Sequence, residues 1–152
     1  MVIALAIGFW LKLAGPKTAR VPLGIAGFEL GMKLEQTRKL FPKLEPLAEH
    51  QFRTNTSLFD EAAACTLSFP NDQTLTEIKC SLEAGQTPER RRQLRGKVLT
   101  TMRKLYSEET SASAALGVEH WEWTNDRALL TLDMPPVLSD AGRIEVSNKL
   151  RW

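Results

Sequence analysis

Few side chains in this sequence are equipped for chemistry. The histidines are His50 and His120, and the cysteines are Cys65 and Cys80. Together they nominally make a metal or Cys–His set, but their spacing follows no ligand pattern. His50 falls in a proline-bounded loop, and His120 alternates onto the strand face opposite Trp121. The acids Asp60-Glu61 and Glu108-Glu109 are adjacent in sequence. Neighbours on a strand or helix point different ways, so neither pair is set up for acid–base work. No Gly-rich phosphate loop, G-x-S-x-G or H-E-x-x-H is present. The residues therefore call for no catalytic group, no metal and no small-molecule cofactor, and the expectation is a non-enzymatic protein.

The sharpest charge signal is residues 88–106, with seven Lys/Arg and one Glu in a chain whose net charge is +2. Thr87-Pro88-Glu89 opens a helix there: a capping Thr, Pro at the first position and an acid in the first turn. Leu94, Val98, Met102 and Leu105 repeat along one face and need a sheet to cover them. At about 100° per residue, Arg92, Arg95 and Arg103 fall to one side of this stripe, and Arg90, Lys97 and Lys104 to the other. Cations that flank an apolar stripe are what a core-packed helix shows when long side chains reach past it to water. A second reading makes Arg92, Arg95 and Arg103 a basic contact surface for an acidic protein or an anionic membrane surface. Nucleic acid is disfavoured, because it would be better served by one continuous basic face with aromatics interleaved.

These residues must be positioned by short elements. Ile25–Leu30 reads as a strand entering the turn Gly31-Met32, and Leu34, Thr37 and Phe41 then line one side of a helix that Pro42 stops. Residues 42–61 show no clear period and read as loop with at most a short edge strand. Cys65, Leu67 and Phe69, then Ile78, Cys80 and Leu82, alternate with polar residues on either side of Pro70–Gln73, a hairpin with one buried face. A two-residue loop at Asp72-Gln73 puts Cys65 directly opposite Cys80, where a disulfide can form in an oxidising compartment. A three-residue loop destroys that pairing, and two buried thiols are the alternative. Ser107–Gly117 reads as a small-residue loop. Glu119–Thr124 and Arg127–Leu132 flank a hairpin turn at Asn125-Asp126, which sets Trp121 opposite Leu130 and Trp123 opposite Ala128. Arg143–Ser147 supplies a last strand. The order is that of an α+β fold: two helices on one face of an antiparallel sheet, in two similar halves of helix and hairpin.

With 25% charged and 43% hydrophobic residues, wholesale disorder is excluded, and two cysteines exclude a disulfide-dense scaffold. Residues 1–14 form an apolar run of signal-peptide or anchor length. The expected organisation is a leader or anchor with linker over 1–22 and a single α+β domain over 23–152.

The run Gly27-Phe-Glu-Leu-Gly-Met-Lys-Leu-Glu-Gln36, followed by the hairpin Leu67-Ser-Phe-Pro-Asn-Asp-Gln-Thr-Leu-Thr-Glu-Ile78, resembles small bacterial cell-envelope proteins. These are the SmpA/OmlA-like outer-membrane assembly lipoproteins and the related beta-lactamase-inhibitor-protein-like repeats. Lys33 departs from their helix-capping Ser or Thr, and no lipobox cysteine follows the leader, so lipid anchoring is not implied. The resemblance implies a non-enzymatic binding or scaffolding module, periplasmic or membrane-anchored, with a protein partner and no site residues to transfer. The alternative is a cytosolic nucleic-acid-binding accessory protein using helix 88–106.

Overall fold

The computed structural model describes residues 20–83, 87–138 and 143–151. The apolar leader expected over 1–14 lies outside these. No membrane anchor is found among the described residues: none of their helices is long and apolar enough to cross a membrane.

The chain enters through a miniature hairpin rather than a continuous strand. β1 (Gly24–Ile25) and β2 (Phe28–Glu29) are joined by Ala26 and Gly27, both at positive φ. Gly31, at φ 90°, donates its N–H to Leu75 O at 2.7 Å, and Leu75 returns one to Met32 O at 2.8 Å. The Gly-Met turn thus ties the start of α1 (Leu34–Leu40) to the loop at Leu75. Lys33 supplies no side-chain cap; instead Leu34 N–H is accepted by Gln73 O at 3.2 Å. Leu34 and Thr37 are the residues of α1 that enter the core, as their spacing predicts.

Two strands then arise where the sequence offers no clear period: β3 (Glu45–Ala48) and β4 (Gln51–Leu58). β4 buries Phe52, Thr54 and Leu58, so threonine fills a core position and blurs the alternation. β5 (Glu61–Ser68) and β6 (Glu77–Glu83) complete the first half. The second half repeats the plan with α2 (Pro88–Tyr106), β7 (Ser111–Ala115), β8 (Val118–Thr124), β9 (Ala128–Met134) and β10 (Arg143–Leu150). Thr87 caps α2, its hydroxyl accepting Arg90 N–H at 3.2 Å. β7 occupies the stretch expected to be loop.

All strands from β3 onward form one antiparallel sheet in the order β3-β4-β5-β6-β10-β9-β8-β7. Each half is therefore a helix followed by a four-stranded meander, twice the strand content of the helix–hairpin unit expected. The equivalent last strands, β6 and β10, pair antiparallel at the centre, which relates the halves by a rough two-fold axis normal to the sheet. Such an axis keeps both helices on one side, and the core lies there. Leu94, Val98 and Met102 of α2 join Leu67, Ile78, Leu82, Leu130, Leu132, Ile144 and Val146 from the strands. Each such side chain contributes about 1.5–3 kcal/mol when taken from water. Leu105 departs from the expected stripe and is half exposed, while Arg91 is buried and donates to Val137 O at 2.6 Å. Trp123 is fully buried with its indole N–H on Ser107 O at 3.0 Å.

Two registers decide what faces what. Cys65 and Cys80 are direct cross-strand partners, although their connection is not a two-residue loop. Phe69–Thr76 contains a short 3-10 turn at Pro70–Asp72 and is closed by Thr76 N–H to Ser68 O at 3.0 Å. It is an even-length loop centred where the two-residue loop would be, so the pairing is the same. The β8–β9 register differs from expectation. Trp121 lies opposite Leu132 and Trp123 opposite Leu130, each two residues beyond the partner expected. The turn is centred on Asp126-Arg127 because the Asn125 side chain accepts both Arg127 N–H and Ala128 N–H at 2.9 Å. Asn at the first corner of a turn is preferred for this bond, and that preference outweighs Asn-Asp as the turn centre.

Candidate functional site on the uncovered face of the sheet

The helices cover one side of the sheet, and strand alternation sends every second side chain to the other side. From β5 to β8 this face, which no helix among the described residues covers, presents rows of directly paired residues. One row runs Thr66, Lys79, Ser147, Thr131 and Glu122; the next runs Ala64, Ser81, Glu145, Asp133 and His120. Small and hydroxylated side chains fill its middle. Charged groups punctuate it, and no large apolar residue appears in either row.

The most organised cluster on this face surrounds His120. Its Nδ1 lies 2.5 Å from Asp133 Oδ1 across the strand pair, and its Nε2 lies 3.0 Å from Glu122 Oε1 two residues along β8. Glu122 also accepts from the Ser111 hydroxyl at 3.1 Å. Partial burial works against the charge on His120, but hydrogen bonds and proximity to Glu122 and Asp133 outweigh it and raise its pKa above the ordinary 6.5. The hydrogen bond from His120 is the main reason the Glu122 carboxyl is lowered, against burial and helped by Ser111. The site is thus an imidazole held between two carboxylates that favour its protonated form.

That arrangement bears on chemistry. An Asp on Nδ1 is half of a charge-relay geometry, and Ser113 is the cross-strand neighbour of His120 on β7. Yet Nε2, the atom that would take a nucleophile's proton, is held by Glu122. An imidazole whose two nitrogens are both engaged by acids that favour its protonated form is poorly placed to act as a general base. It is well suited to offering fixed charge and hydrogen bonds to a surface laid on it.

The other candidate residues are dispersed. Cys65 and Cys80 are bonded to each other, are 1% and 0% exposed, and lie on the helix side of the sheet. His120 lies on the other face and His50 in the β3–β4 turn, so the nominal Cys–His set is split by the sheet. Among the described residues no group of His, Cys, Asp and Glu could hold a metal ion. A buried disulfide belongs to a protein that folds in an oxidising compartment, outside the reducing cytosol.

The cations of α2 are largely occupied within the molecule. Arg90 and Lys97 both reach Glu61 at 3.0 Å, and hydrogen bonds from Lys97 and then Arg90 lower the Glu61 carboxyl below its usual range. Arg95 donates to Pro135 O at 2.5 Å and pairs with Glu119; its side chain is only 17% exposed. Arg103 grips Glu109 with two nitrogens, at 2.9 and 2.5 Å. Arg92 stands 4.0 Å from Glu89 and is exposed. Arg92, Arg95 and Arg103 therefore do not present three open guanidinium groups.

No family model, no curated protein and no solved structure matches this chain.

Proposed function

We propose that this chain is a binding module of the bacterial cell envelope that engages a protein partner through the uncovered face of its sheet. The observation that carries this reading is the division of labour between the two faces. One is closed by helices, a disulfide and an apolar core; the other is an array of small hydroxylated and charged side chains with the His120–Asp133–Glu122 cluster held in place on it. Side chains fixed by their own hydrogen bonds lose little entropy on docking, so such a surface is pre-organised for recognition. The oxidising compartment required by the disulfide agrees with an extracytoplasmic site, and the resemblance of residues 24–82 to envelope binding modules narrows it to the periplasm.

Bulk placed on this face tests the reading. Thr131→Arg and Ser147→Arg stand in the middle of the array, whereas Gln93→Arg is on the exposed side of α2. The expected outcome, read by native gel or size-exclusion of tagged protein from its own cells, is loss of the higher-mass complex with the first two variants only. A complex that survives both, or that is lost only with Gln93→Arg, contradicts the proposal.

A further inference from the structure

The two edges of the sheet are finished differently. β3 carries Pro46, which has no N–H to offer, a register shift between Pro46 and Ala48, and Glu45 tied to Arg53 at 3.2 Å. These are devices that keep an edge from recruiting another strand. β7, Ser111-Ala-Ser-Ala-Ala115, has none of them: no proline, no charge, an unbroken register against β8, and every residue exposed. Among the described residues no strand pairs with its outer side.

The end of β7 is also unusual. It turns into β8 through Leu116 and Gly117, at φ 52° and 78°, and Leu116 is fully exposed. Two-residue hairpin turns with both φ positive favour Asn, Asp or Gly at the first position. A leucine there holds a strained backbone and an apolar tip in water at once. A Cβ on Gly117 would come within 2.9 Å of the Pro136 ring, so this turn meets the segment leading to exposed Leu138.

We propose that β7 pairs antiparallel with β7 of a second copy of this chain, joining two sheets edge to edge about a two-fold axis at Ser113. The strand is self-complementary in that register. Ser113 meets its own counterpart, Ala112 meets Ala114 of the other copy, and Ser111 meets Ala115, so no bulky or like-charged pair arises. Continuing the register sets Thr110 opposite Leu116, whose exposed side chain gains a neighbour. Glu109 falls opposite Gly117, which leaves the acids of the two copies at opposite ends of the seam. An isologous contact at one edge, with the other edge blocked, closes as a dimer and does not propagate into a filament. The chain already uses this solution internally, where β6 and β10 pair antiparallel across its own rough two-fold.

A five-residue strand pair with one apolar corner is smaller than the roughly 1,600 Å² of a standard interface, so the dimer is reversible. Sedimentation of the full chain over about 5–500 μM is expected to show monomer converting to dimer. Ala114→Lys, which puts a charge beside the two-fold axis and opposite Ala112 of the other copy, is expected to weaken dimerisation at least about tenfold. Leu116→Asn suits the turn and removes the apolar tip, so it is expected to raise or preserve the melting temperature while also weakening the dimer. These opposite directions separate an interface effect from misfolding, should Ala114→Lys fail to fold. A chain that stays monomeric throughout overturns the proposal and leaves this edge to a strand of another protein. A dimer indifferent to Leu116→Asn overturns it too, because the contact must then lie elsewhere.

Discussion

His120 is where one side chain carries the most information. Its folded pKa is raised, so its contribution to stability is fully present below the unfolded value near 6.5 and is lost as pH rises through the folded value. Glu122 has the opposite sign: its folded pKa is lowered, so its contribution is present above about 4.5 and is lost as pH falls through the folded value. Stability gained from the cluster is therefore greatest in the mildly acidic range between them. An NMR titration of His120 is expected to give a midpoint above 6.5, falling in Asp133→Asn, and His120→Gln should destabilise the protein more at pH 6 than at pH 9. A midpoint at or below the ordinary value contradicts the ion triad. The histidine and its outward direction were legible in the alternation of β8, but its partners were not. With the turn centred on Asn125-Asp126, His120 would face Thr131; with the turn centred one residue later, it faces Asp133. A shift of one residue in a turn moves every partner by two, and that was enough to hide the cluster.

Among the elements, those with complete local signals read correctly from sequence. α2 has its capping Thr, its Pro and an uninterrupted Leu94–Val98–Met102 stripe, and it forms where these place it. β4 and β7 did not announce themselves. β4 puts Thr54 in a buried position, and β7 is an exposed edge of Ser and Ala with no apolar face at all. Their strand conformation comes from neighbours that pair with them and not from their own pattern. The β5–β6 pair lies between these cases, since its register follows from alternation whatever the detail of the loop. It also supports a sharp expectation. The disulfide closes a separation of 15 residues, for which the loss of chain entropy in the unfolded state predicts about 3 kcal/mol. Cys65→Ala/Cys80→Ala should lose stability of that order in urea unfolding, and reduction of the native protein should do the same. An unchanged midpoint would mean that the sheet register alone holds this half together.

The whole molecule is a sheet built twice and joined at its centre. Each half supplies a helix to the same side, so among the described residues the arrangement closes one face and leaves the other open across strands from both halves. The chain leading in is tied to this body: Asn148 donates to Pro22 O at 3.1 Å and Arg20 N–H reaches Tyr106 O at 3.2 Å. The α+β class and the placement of both helices on one side follow from the order of elements in the sequence. The eight-stranded span does not, because it depends on three strands with weak signals, β3, β4 and β7, and on the pairing of β6 with β10, which no local pattern encodes. The most direct test of a partner-binding open face is site-specific photocrosslinking in the cells that make the protein. A photoreactive residue at Thr66, Thr131 or Ser147 is expected to give one discrete heteromeric adduct, and the same group at Gln93 or Thr100 of α2 is expected to give none. Adducts formed only from α2, or from neither face, would contradict the assignment of the open sheet as the binding surface.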